Sequence, residues 1–255
     1  MALTSWSSAN YLRRLSLVIG TYGYALDGWG YIHTLGSELS AMYAGNATNE
    51  WWHRAYVDST NHPSTSTRSA ADGSDAAGTS TTVSADTWFY FTATGYVNNR
   101  EAYLNAGGRT ASTYSMTGNP ATADRFYVGT QTNATGSWDS AGAMGELAIW
   151  NLGSMTQVQR ETLWSKRYNG GSGGNGANPL AINAEVGQPY TGALVAYWRL
   201  TNTSDLNDLQ GTNHLSMVGT LTNWGGTAPP VDAAPSGAIP PSGDSFQMFS
   251  QWGAF

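Results

Sequence analysis

The stretch from Asp86 to Gly170 constrains this chain most, because it writes a series of strands and then one helix with a marked start. TWFYFTATG (87–95), AYLNAGG (102–108), DRFYVGTQTN (124–133) and GELAIWN (145–151) read as strands. In GELAIWN, Leu147 and Ile149 point one way while Glu146, Ala148 and Trp150 point the other, the period-2 pattern of a pleated strand. Asn105-Ala106-Gly107-Gly108 tolerates positive φ and predicts a hairpin. Ser154 stands three residues before Gln157, a capping-box spacing that predicts a short helix over 155–167. Antiparallel strands are predicted at 86–93, 101–105, 125–130, 145–151 and 194–200.

Composition agrees with an all-β chain. The 255 residues suffice for one β domain, and the 14 Tyr and 11 Trp favour pleated surfaces while the 31 Gly favour tight turns. Charged residues are only 11%, so the surface must be covered largely by Ser, Thr, Asn and Gly. There is no cysteine, which excludes disulfides and thiolate metal sites. Net charge is −6, and the densest positive spots are Arg13-Arg14 and Lys166-Arg167, too few for a nucleic-acid footprint. No run reaches the length of a membrane helix, and Arg13-Arg14 interrupts the apolar start that a signal peptide would need. The expectation is therefore no nucleic acid, no membrane and synthesis in a host cytoplasm without a signal peptide.

The order of these segments resembles the laminin-G-like, concanavalin A-like jelly roll, whose second half runs W-strand, YLDG hairpin, G-strand, DEVRIYN strand and short helix. The resemblance implies an all-β, two-sheet antiparallel sandwich. LVAYWRL (194–200), SDLNDLQG (204–211) and NHLSMVGTLTN (213–223) look like the closing strand of such domains in tailed-phage structural proteins. NYLRRLS (10–16) and YALDGWGYIHTLG (24–36) fit the opening strands more loosely.

A domain and an extension are expected. Residues 1–223 form the jelly roll, with a Gly/Asn-rich linker at 169–190 inside it, where Gly170 and Gly171 suit a helix end needing positive φ. Residues 58–82 read as a long hairpin whose polar strands face solvent. Residues 224–255 are a Pro-rich extension ending in an apolar segment, in which Phe246, Met248, Phe249, Trp252 and Phe255 would dock on a partner.

Catalysis finds little support. Some glucanases that resemble this fold carry E-x-D-x-x-E on one strand, and retaining hydrolysis needs two close carboxyl groups. Here Glu146 is alone in its strand, Asp139 lies seven residues upstream, and Glu38 and Glu50 are solitary. No G-x-S-x-G elbow occurs, and His33, His53, His62 and His214 share no metal-ligand spacing. No catalytic residue or cofactor is assigned. Laminin-G-like and pentraxin-like domains often hold calcium on rim loops, which implies Glu146, Asn105 and Asp124 as metal candidates, with Asp139 as a further contributor. The hairpin aspartate is Asn105 here and the DE pair is Gly145-Glu146, so charge is missing at both places.

Aromatic faces stack on sugar rings. Trp88, Trp150 and Trp198 sit in strand patterns and read as core, whereas Trp29, Trp138 and Trp51-Trp52 lie in less regular stretches. Trp138, in the loop QTNATGSWDSAG, is the exposed candidate, with Asn133 and Asp139 beside it. The resulting expectation is a non-enzymatic tailed-phage virion protein, a capsid decoration or tail accessory, bound through its tail to other virion proteins or to itself. A lectin-like module for a cell-surface glycan is the alternative, and a glycoside hydrolase the third reading.

Overall fold

The computed structural model describes residues 2–19, 23–46, 52–69, 73–95, 99–112, 123–131 and 137–233. In chain order the first strands are β1 (Leu3–Thr4), β2 (Tyr11–Ile19), β3 (Tyr24–Tyr31), β4 (Leu39–Gly45), β5 (Trp52–Val57) and β6 (Pro63–Ser69). There follow β7 (Gly73–Gly78), β8 (Trp88–Gly95), β9 (Arg100–Leu104), β10 (Gly107–Ser112), β11 (Ala123–Val128) and β12 (Ala143–Asn151). Helices α1 (Gln157–Asn169) and α2 (Pro179–Asn183) precede β13 (Leu194–Trp198), β14 (Ser216–Val218) and β15 (Thr222–Asn223).

The strands form two sheets, and their pairings are antiparallel throughout. The first runs β10-β9-β8-β3-β12-β1-β15, with β13 also on β12; the second runs β14-β2-β11-β4-β5-β6-β7. This is the expected jelly-roll sandwich, and all five predicted strand segments are present. Leu26, Phe89, Phe91, Leu147 and Ile149 of the first sheet meet Leu12, Met42, Phe126 and Val128 of the second. Each such side chain contributes about 1.5–3 kcal/mol on burial. The alternation in β12 works as read: Ala148 and Trp150 face the other way, into a second cluster under α1 with Trp29, Tyr90, Leu163, Trp164 and Tyr197. The molecule therefore has three layers, with the helices covering the outer face of the first sheet.

Local sequence explains the joints. Asn105 and Ala106 both adopt positive φ in the tight turn between β9 and β10, and Asn105 Oδ1 accepts from the Tyr90 N–H at 2.9 Å. The capping box lies two residues later than the Ser154 spacing suggests. Thr156 is the N-cap and Gln159 its reciprocal partner, because the Met155 N–H is drawn to the Leu152 carbonyl in a preceding turn. Gly170 ends α1 with φ −85, not the positive φ expected. Its need for glycine is close approach, since a Cβ there would lie 2.6 Å from Lys166 Cα.

Three further expectations change. The 169–190 segment holds a short 3-10 turn and α2, whose Ile182 is buried, rather than linker alone. Residues 58–82 do contain the β6–β7 hairpin, but Ser64, Thr65, Ser66 and Thr67 are buried on both faces of β6. Trp29 belongs to β3 and is buried, while Trp88 is only half-buried.

Candidate functional site

The residues singled out around Trp138 divide. Trp138, expected on an exposed loop, is 1% exposed and packs on Phe89 and Phe91 between the sheets. Gly30 explains this: a Cβ at that position would come within 2.8 Å of the indole, so glycine opens the slot. Asp139 is also buried. Its Oδ2 accepts from the backbone N–H groups of His33 and Thr34 at 2.6 and 2.7 Å, and its Oδ1 from Ala141 at 3.0 Å. That carboxylate staples two loops together. Both residues line one wall of an open groove of about 470 Å³ with Thr34, Ser37 and Glu38, but neither offers it an exposed ring. Asn133 lies outside the described residues, as do Phe246, Met248, Phe249, Trp252 and Phe255.

The metal candidates are not brought together. Asn105 is in the β9–β10 turn of the first sheet, Asp124 is on β11 of the second, and Glu146 is on β12 under the helix layer. Among the described residues no three of His, Asp and Glu cluster in a way that could hold a metal ion. Glu146 sits at positive φ in an irregular stretch of β12, accepts from Tyr197 Oη, and faces Arg199 at 3.5 Å. Burial raises its pKa against the lowering pull of Tyr197 and the arginines.

The helix-covered face holds two further buried ion pairs. Arg167 Nε and Nη2 donate to Asp27 at 3.0 and 3.1 Å, and Asp27 also accepts from Tyr90 Oη and Trp150 Nε1. One helical stretch earlier, Arg160 donates to Glu101 from Nε and Nη2 at 3.0 and 2.7 Å. Burial pushes the Glu101 pKa up, but hydrogen bonds from Arg160, Arg109 and Tyr103 outweigh it and leave the carboxyl below its usual range. These ion pairs fasten α1 to the sheet and close that face to ligands.

The outer face of the second sheet is different: among the described residues no helix packs on it. Register places Arg13, Tyr127, Tyr43, Arg54 and Ser66 in one row across five strands. The next row is Leu15, Arg125, Gly45, Trp52 and Arg68. The rings touch: Tyr11 to Tyr127 at 5.8 Å, Tyr127 to Tyr43 at 6.1 Å, and Tyr43 to Trp52 at 6.2 Å between centroids. Arg54 lies over Tyr56 at 3.9 Å and Trp52 at 5.4 Å. Its guanidinium is fixed by Glu38 at 2.5 Å and by Ser66 Oγ at 2.7 Å from Nε. Tyr43 and Tyr127 are buried in the middle of the row, and Tyr11 and Trp52 are half-buried at its ends.

Chemically this is a packed strip of rings that presents Tyr11 and Trp52 at its ends, with planar, fixed hydrogen-bonding groups at its rim. Aromatic rings offer flat apolar surface, and an arginine locked by a carboxylate offers directed donors at little entropic cost. The sequence marked only Trp51-Trp52 and Arg13-Arg14 here, and neither as part of a common surface. The tyrosines and arginines come from five strands spread over more than a hundred residues, and period-2 patterns do not say which face a sheet leaves open.

No family model matches the sequence, and no curated protein matches it. Solved structures do share the fold. A Bacteroides ovatus protein provisionally named for carbohydrate binding superposes with TM-score 0.57 at 12% identity, over 88% of this chain and 60% of that one. The heptameric SAP-like pentraxin of Limulus polyphemus gives 0.49 at 11% identity, over 65% and 80% of the two chains. The enzymatically active domain of tailspike protein 2 from bacteriophage CBA120 gives 0.47 at 11% identity, over 74% of this chain and 28% of that one. The likeness to the Bacteroides ovatus structure is one of fold, a two-sheet antiparallel jelly-roll sandwich.

Proposed function

We propose that this protein is a non-enzymatic, lectin-like glycan-binding module. The observation that carries the reading is the contiguous chain of rings Tyr11, Tyr127, Tyr43 and Trp52 on the outer face of the second sheet, with its partly exposed ends Tyr11 and Trp52 and with Arg54 held in place by Glu38. Likeness in fold to a protein named for carbohydrate binding points the same way. The absence of an enzymatic role is argued from Glu146, which is buried beneath Tyr197 and has no second carboxylate in its strand. Attachment to a phage particle is a separate proposal. It rests on the resemblance of residues 194–223 and on the apolar segment 244–255, and deleting 240–255 should leave a folded domain that no longer associates with particles.

The test is a glycan array with the full chain, followed by titration of the best binders against Trp52→Ala and Trp138→Ala. Loss of binding in Trp52→Ala at unchanged thermal stability supports the reading. Binders indifferent to Trp52, or an array with no binders, overturn it.

A further inference from the structure

The chain has 11 Lys and Arg against 17 Asp and Glu, and the fold segregates the cations. Six lie on or beside the first sheet and its helices and are spent in ion pairs: Arg100 with Asp75 of the second sheet, Arg109 and Arg160 with Glu101, Lys166 with Glu185, Arg167 with Asp27, and Arg199 with Glu146. The other five, Arg13, Arg14, Arg54, Arg68 and Arg125, all lie on strands of the second sheet. Register turns Arg13, Arg54, Arg68 and Arg125 outward among the rings, while Arg14 pairs with the inward Phe126.

From this we infer that the ring-lined face takes an acidic saccharide, one carrying carboxylate or sulfate groups; the inference rests on the glycan-binding reading of the same face. Arg13 and Arg54 are three strand steps apart, roughly 14 Å at about 4.8 Å per step, with two tyrosines between them. Arg125 and Arg68 are likewise separated by Gly45 and Trp52 in the next row. Cations thus flank the rings on both sides, as a chain of sugars with charges at intervals would require. Arg54 and Arg125 already have carboxylates, Glu38 at 2.5 Å and Asp124 at 3.8 Å. Arg13 and Arg68 have none among the described residues and retain their bidentate capacity for a carboxylate or sulfate. A neutral sugar needs no such cations. A nucleic acid would gain less, because Glu38 and Asp124 interrupt the patch and the whole chain carries −6.

The experiment compares four probes on the full chain at two salt concentrations: oligogalacturonate, dextran sulfate, unmodified dextran and a single-stranded oligothymidylate. The variants are Arg13→Gln with Arg68→Gln, which breaks no ion pair among the described residues, and Trp52→Ala. Binding of an acidic saccharide that weakens roughly tenfold or more in the arginine variant, and also falls in Trp52→Ala, supports the inference. Binding to neutral glycans alone, lost in Trp52→Ala and unchanged in the arginine variant, overturns the inference and leaves the glycan reading standing. Equal capture of dextran sulfate and oligothymidylate, indifferent to Trp52, means charge alone and overturns both, as does no binding to any probe.

Discussion

Arg167 forms a two-point hydrogen-bonded ion pair with Asp27 across 140 residues of sequence, and neither side chain is exposed to solvent. Asp27 is further held by Tyr90 Oη at 2.8 Å and Trp150 Nε1 at 3.0 Å, and Arg167 Nη2 also donates to the Glu146 carbonyl. Every strong polar group there has a partner, so the pair fixes the seating of α1 on the sheet without an orphaned charge.

The first prediction follows from that completeness. Arg167→Met leaves the Asp27 carboxylate buried with only neutral donors. It should cost about 3–5 kcal/mol, measured by urea unfolding. Exchanging both partners for apolar residues should cost less than the single change. A single variant that unfolds with the wild type would show that the helix is held by packing alone.

The strands and the fold class were legible because alternation and turn residues act locally. GELAIWN sorted its side chains between two cores as read, and Asn105-Ala106 turned as its φ tolerance requires. The helix was legible but its start was not: Ser154–Gln157 and Thr156–Gln159 have the same spacing, and the Leu152–Met155 turn decides between them. Lys166-Arg167 stood out only as one of the two densest positive spots, and nothing local showed that Arg167 is fully buried, since its partner lies on β3. The candidate site was hardly legible. Arg13, Tyr43, Trp52, Arg68 and Tyr127 become neighbours only through strand register, which no short window of sequence reports.

A second prediction concerns pH. His53 is buried against Tyr24 and Thr65, and burial, then the Arg100 charge, lower its pKa from 6.5 to about 3. The unfolded chain binds this proton below about pH 6.5 and the folded chain does not, so stability falls with pH from 6.5 towards 3. By pH 4 the loss attributable to this group is about 3 kcal/mol. His53→Gln should flatten the dependence over that window when unfolding free energies are compared at pH 7 and pH 4. Parallel curves for the two proteins would remove His53 from the account.

Trp138 should behave as core. Trp138→Ala is expected to cost about 3–5 kcal/mol, and Gly30→Ala about 1–3 kcal/mol by overpacking the same slot. Thermal unfolding separates these effects from ligand binding. A Trp138→Ala protein that keeps its midpoint but loses glycan affinity would return the residue to the binding surface.

The last prediction tests whether Glu146 is a structural acid. Its pKa is raised by burial, so between about pH 4.5 and its folded value the folded chain holds a proton that the unfolded chain has released. Stability contributed by this group is therefore present at low pH and is lost as pH rises through that window. Glu146→Gln keeps an oxygen acceptor for Tyr197 Oη and carries no charge to desolvate. The variant should gain on the wild type as pH rises from 4.5 to 8, followed by urea unfolding at each pH. It should also show no change in activity towards β-glucans, since neither protein is expected to hydrolyse them. A wild type that becomes relatively more stable with rising pH would mean that Arg199 and Arg167 hold Glu146 ionised, and β-glucan turnover that disappears in the variant would make Glu146 a catalytic acid.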